Sequence, residues 1–185
     1  MLTNRRGHHS RITDKAFQWL SFSTVVSVFC LVILGGVVRV TESGLGCPDW
    51  PLCHGKVIPD VELHAVIEYS HRLLASLVTI LVLTMTVVAW KRYKHKPLIL
   101  SASVLSLILI LVQAGLGAIT VLTELAGDVV MAHLALAEFL LFIITLIYVA
   151  TLRRLSVSKR RSNGLPVIAG ILAFSIFLFL EKIAM

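Results

Sequence analysis

Charge is scarce in this chain. Lys, Arg, Asp and Glu make up 15% of its 185 residues, against 57% hydrophobic residues and a mean hydropathy of +0.91. So few charges cannot coat a soluble domain of this length, which excludes the soluble classes and leaves an integral membrane protein. Acidic residues are scarcer than basic ones, 10 against 17, giving a formal net charge of +7. That excess does not point to nucleic acid, because the basic residues fall into clusters separated by apolar runs. Arg5, Arg6, Arg11 and Lys15 precede the first run, Lys91, Arg92, Lys94 and Lys96 follow the second, and Arg153, Arg154, Lys159, Arg160 and Arg161 follow the fourth. The pattern is topological. A small-x-small cleavage site is also missing after the first run, which is too long for the core of a cleaved signal peptide, so it is expected to be retained as a helix.

Uncharged runs of spanning length occupy Ala16 to Val38, Leu73 to Trp90 with an upstream extension from Ala65, and Leu98 to Leu122. A fourth, Val129 to Leu152, is interrupted only by His133 and Glu138. Each can cross a hydrocarbon core of about 30 Å as a helix. A fifth, Leu165 to Leu180, is shorter, but it follows a basic loop and ends at Glu181 and Lys182, where an interface would lie. The expected fold is therefore an all-α polytopic membrane protein, a four-transmembrane-helix bundle with a fifth transmembrane helix appended. Residues 1–15 read as a cytoplasmic basic tail and 16–152 as the bundle, with an extracytoplasmic loop at 39–63. Residues 153–164 read as a basic cytoplasmic loop and 165–185 as the fifth helix. Alternating spans put the basic clusters inside, so the N-terminus is expected in the cytoplasm and the C-terminus outside, across a prokaryotic plasma membrane.

The ends of spans one and three resemble each other. Leu34 to Glu42 and Leu116 to Glu124 share a Leu-Gly pair and a Thr-Glu pair in the same register. In each case the span exits outward, turns, and leads to a span with a histidine near its outer end. This predicts two copies of a helical hairpin, related by an axis along the membrane normal, with span two opposite span four.

Those two histidines, His71 and His133, are expected at similar depth on opposed helices. Such a pair suits the axial positions of a haem iron, and ionisable groups inside membranes are costly enough to be functional by default. Zinc is less suited, because only two good ligands converge and no cysteine lies at that depth. Glu68 shares a helix face with His71 three residues later, where a carboxyl group can hold or pass a proton. Arg39 and Arg72 sit at membrane boundaries on the side where positive charge is sparse, and either can hold a haem propionate or snorkel to lipid headgroups. Cys47 and Cys53 flank Pro-Asp-Trp-Pro-Leu in the outer loop, and a disulfide is expected there, as a staple or as a redox-active pair. Cys30, among apolar residues of span one, is read as a small core hydrophobe. Leu45, Trp50, Leu52 and Val57 supply apolar material with which the loop can lie on the bundle top.

The run Gly35 to Gly55 with its two cysteines, Ile67-Glu68-Tyr69-Ser70-His71-Arg72, the Gln113-Ala-Gly-Leu-Gly segment and the opening of span four through His133 together resemble the haem A synthase family, over roughly Val32 to Leu140. The resemblance implies a helical bundle that binds haem through paired histidines and oxidises a methyl group of haem O to a formyl group, giving haem A for terminal oxidases. It implies His71 and His133 as one histidine pair, Glu68 as the glutamate beside the first, and Cys47 and Cys53 as the outer cysteine pair. Family members typically carry two such four-helix halves, whereas this chain matches one. The expected partners are accordingly haem O as substrate, haem b or haem O as the bound haem, membrane lipid, a second copy of the chain, and a haem O synthase or oxidase assembly partner. Nucleic acid is not among them. Two other readings stand beside this one: a haem-binding, haem-transferring or electron-carrying protein without catalysis, and a membrane thiol-disulfide oxidoreductase using Cys47 and Cys53.

Overall fold

The computed structural model describes residues 3–156, with side chains described from Asp14 to Leu152. The fifth apolar segment, at 165–180, lies outside the described residues. Four long helices account for most of the chain: α1 (Thr3–Val40), α2 (Leu63–Arg92), α3 (Pro97–Leu122) and α4 (Gly127–Ser156). A single 3-10 turn, η1 (Ser43–Leu45), lies in the connection between α1 and α2. All four helices contain stretches long and apolar enough to cross a membrane, and the first such stretch is Asp14–Val40. Helix α1 continues upstream through residues 3–15, which the sequence suggested as a separate tail.

Each helix ends for a local reason. Lys91 and Arg92 close α2 with positive charge in its last turn, and Pro97 opens α3 at a position where its missing N–H is not needed. At the other end of the molecule, α1 and α3 stop in the same way. Glu42 and Glu124 both turn left-handed, with φ of 55° and 50°. The hydroxyls of Thr41 and Thr123 donate to the carbonyls of Val37 and Ile119, four residues back. The N–H groups of Glu42 and Glu124 reach the carbonyls of Arg39 and Val121, three residues back. These positions correspond one to one in the repeat, so the repeat is one of structure as well as letters.

Helices pack in a ring, α1 on α2, α2 on α3, α3 on α4 and α4 on α1. That order puts α2 diagonally across the bundle from α4. A continuous core of buried hydrophobic residues fills one part of the interior: Phe17, Val25 and Val28 from α1, Val78 to Ala89 from α2, Ile99 to Ile110 from α3, and Leu140 to Ile147 from α4. This core lies in the half remote from the η1 loop. Buried hydroxyls within it, such as Ser21, Thr24, Ser103 and Thr145, donate to carbonyls one turn back, so each is satisfied inside its own helix.

Candidate functional site at the loop end of the bundle

Beyond the hydrophobic core, toward the loop, the interior changes character. Seven positions separate Val28 from Gly35, Val78 from His71, Ile110 from Gly117 and Leu140 from His133. Seven residues are two helical turns, so all four lie about 10 Å beyond core residues and on the faces those core residues share. One layer therefore holds two glycines and two histidines, with His71 on α2 and His133 on α4 across the bundle from each other.

The two hairpins build this layer by the same contact. A Cβ on Gly35 would meet Cε1 of His71 at 3.2 Å, and a Cβ on Gly117 would meet Cε1 of His133 at 3.6 Å. Each imidazole edge thus lies against the backbone of the preceding helix. Both histidines are half-buried. Gln113, four residues before Gly117, is buried and its Nε2 donates to the carbonyl of His133 across 2.8 Å. In the sequence this residue stands out only as part of the Gln113-Ala-Gly-Leu-Gly segment. The signal available was an amide in an apolar span one turn from Gly117, since a polar group at that depth needs a partner.

Glu68 and Arg72 bracket His71 on α2, and both reach the loop. Glu68 is 4% exposed and its Oε2 accepts from the N–H of Cys47 at 2.8 Å. Its Oε1 pairs with Nη2 of Arg72. The rest of the Arg72 fork is spent on main-chain carbonyls, Nη1 on Asp49 and Leu52 at 2.8 Å each and Nη2 on Cys47 at 2.9 Å. All three carbonyls lie in the ring closed by the Cys47–Cys53 disulfide. Arg72 was expected either to hold a haem propionate or to snorkel to lipid headgroups; both of its terminal nitrogens are committed to the loop, which leaves Nε–H as the donor not so used. Arg39 stands exposed in the last turn of α1.

The disulfide itself is deeply placed. Cys47 is 0% and Cys53 1% exposed, packed with Ala65 and Tyr69 of α2. The loop does not lie down on its apolar residues as expected. Trp50 is 47% and Val57 72% exposed, and Leu45 and Leu52 are exposed as well. Polar anchors hold it instead: the Glu68–Arg72 grip, the Ser43–His64 contact at 3.0 Å, and the Asp49 carboxylate, which accepts from the N–H groups of His54 (2.6 Å) and Gly55 (2.8 Å). Those two amide bonds, Gly55 first, hold the Asp49 carboxyl below its ordinary range.

Among the described residues, no group of three or more His, Cys, Asp or Glu side chains converges as a metal site. What the layer offers is a pair of half-buried imidazoles, one from each hairpin, a donor set that fits a haem better than an ion needing four ligands.

A family model described as cytochrome oxidase assembly protein matches residues 18–65 and 60–185, nearly the whole chain. The chain belongs to this family, that of the haem A synthases. It is 42% identical over 106 residues to a heme A synthase of Shouchella clausii, a match covering 56% of this chain and 35% of that protein. To a heme A synthase of Geobacillus thermodenitrificans it is 35% identical over 130 residues, covering 67% of this chain and 40% of the relative. The corresponding protein of Bacillus licheniformis is 31% identical over 125 residues, covering 67% and 41%. The chain thus spans about two-fifths of the length of the curated relatives it matches.

Proposed function

We propose that this haem A synthase family member binds haem at the histidine layer and takes part in haem A biosynthesis, oxidising a methyl group of haem O to a formyl group. The observation that carries the reading is the layer itself. Two imidazoles on diagonal helices stand at one level, each against a glycine, two turns beyond the end of the hydrophobic core. His71 and His133 would hold the iron, and the glycines leave the ring edges room that a side chain would fill. The bound haem would supply the oxidative chemistry.

The chain's own residues would do the rest. The core below the layer excludes water from the far side. The disulfide-closed loop covers the near side and is fixed to α2 by Glu68 and Arg72. Glu68, one turn before His71, is proposed to take up and pass on a proton beside the reacting methyl, with its two oxygens kept in place by Cys47 and Arg72. Arg39, exposed at the layer's rim, and the Nε–H of Arg72 are the donors proposed for the haem propionates. A second copy of the chain is proposed to supply a further histidine pair. In this reading the loop faces the extracytoplasmic side of a prokaryotic plasma membrane, and the Lys91–Lys96 turn the cytoplasm.

A thiol-exchange role for Cys47 and Cys53 is the weaker reading, because an attacking thiolate needs access to a sulfur and both residues are buried. The test is the absorption spectrum of the purified protein, followed by haem extraction from cells that also make haem O. Haem bands in the wild type that vanish in His71→Ala and His133→Ala, with haem A in the extract, are expected. A colourless protein overturns the haem reading, and haem O alone in a haem-loaded preparation overturns the enzymatic part.

A further inference from the structure

We propose that Gly35 and Gly117 are positioning residues for the haem ligands: each seats the imidazole of the following helix by bringing bare backbone against its Cε1 edge. The inference rests on the haem reading above and adds to it what sets the ring planes. Orientation of a ligating imidazole tunes the metal it binds, and is ordinarily imposed by its surroundings. Here the surroundings are the same element twice. The glycines occupy equivalent positions of the repeat, one in α1 and one in α3, and the histidines equivalent places in α2 and α4.

The two seats are not equally tight. At Gly35 an added methyl would stand 3.2 Å from Cε1 and 3.8 Å from Nδ1 of His71, so the ring must shift by a few tenths of an ångström. At Gly117 the same methyl would stand 3.6 Å from Cε1 of His133, an ordinary contact. Gly115, two residues away in α3, would meet nothing within 4 Å. Alanine is the better helix former at all three positions, so a change in ligation at Gly35 cannot be laid to a weakened helix.

The experiment compares Gly35→Ala, Gly117→Ala, Gly117→Val and Gly115→Ala as full-length protein in detergent. Readouts are the low-spin electron paramagnetic resonance spectrum, the haem-to-polypeptide ratio and helix content by circular dichroism. Gly35→Ala is expected to shift the low-spin g-values and to weaken haem retention about tenfold at unchanged helix content. Gly117→Val should do the same, while Gly117→Ala and Gly115→Ala stay at the wild-type spectrum. If Gly35→Ala does not accumulate, the Gly117→Val and Gly117→Ala pair decides alone. Wild-type spectra in both Gly35→Ala and Gly117→Val, with haem bound, overturn this inference and leave the haem reading standing. A wild-type protein without haem overturns both.

Discussion

The main-chain N–H of Cys47 donates to Oε2 of Glu68 across 2.8 Å, tying the disulfide loop to the turn of α2 that also carries His71. Glu68 in turn pairs with Arg72, which donates to three carbonyls of the same loop. Glu68→Ala would leave a buried N–H without an acceptor and a largely buried guanidinium without its counter-charge. Breaking one partner out of such a buried pair costs about 3 kcal/mol. Arg72→Lys should cost roughly 1–2 kcal/mol, since one ammonium cannot reproduce a planar fork on spread acceptors. Thermal unfolding in detergent checks the order, with Glu68→Ala the least stable; equal stability of both variants with the wild type would refute the grip.

Replacing both cysteines tests what the ring does for Arg72. The carbonyls that Arg72 binds all belong to residues 47–52, inside the closed loop. Cys47→Ser with Cys53→Ser should cost about 2 kcal/mol, as expected for a short closed ring. The loss should be local: amide exchange is expected to quicken over residues 46–56 while the four helices keep their protection. Because the sulfurs are buried, a thiol reductant should act on the wild type only as fast as the loop opens.

The four helices were legible in the sequence because the length of an apolar run is a local property, and their observed limits differ from the runs by a few residues except at the extended start of α1. The repeat was legible for a related reason. Its marks are residues with special backbone or polar duties, Gly35 and Gly117 at close approaches and Thr41-Glu42 and Thr123-Glu124 at left-handed turns. Arg72 was not legible in the same way. Its partners are main-chain carbonyls 20 to 25 residues away, and a carbonyl carries no residue-type signal. The exposed Trp50 and Val57 misled for the converse reason: apolar letters predict burial only where the backbone route brings them to a surface, and polar anchors fix this route instead.

Gly46 should tolerate nothing larger. A Cβ there would stand 2.4 Å from both the carbonyl carbon and the oxygen of His64, main-chain atoms that cannot swing aside. Gly46→Ala must therefore push the loop off the start of α2, breaking the approach that brings Cys47 to Glu68. Overpacking of this kind costs about 1–3 kcal/mol. Gly55→Ala meets open space but holds φ at 71°, so its cost is backbone strain of about 1 kcal/mol. Thermal melts of the two variants should rank Gly46→Ala below Gly55→Ala, and the reverse order would contradict the close approach.

Acid should loosen the tip of the loop before it touches the helices. The Asp49 carboxylate is held below its ordinary range first by the amide of Gly55 and then by that of His54. Asp60 is lowered likewise by the Lys56 ammonium, which it meets at 2.7 Å. A depressed folded-state pKa means that the unfolded loop binds the proton more readily, so the contribution is complete above the ordinary aspartate range. It is lost as pH falls through the lower folded value. The amides of His54 and Gly55 should accordingly keep their exchange protection, corrected for intrinsic rate, down through pH 5 and lose it only well below about pH 4. Asp49→Asn keeps an acceptor but has no charge to titrate, so its protection should be lower at neutral pH and flat with acid. A wild-type profile as flat as that of Asp49→Asn would show that the carboxylate does not hold the turn.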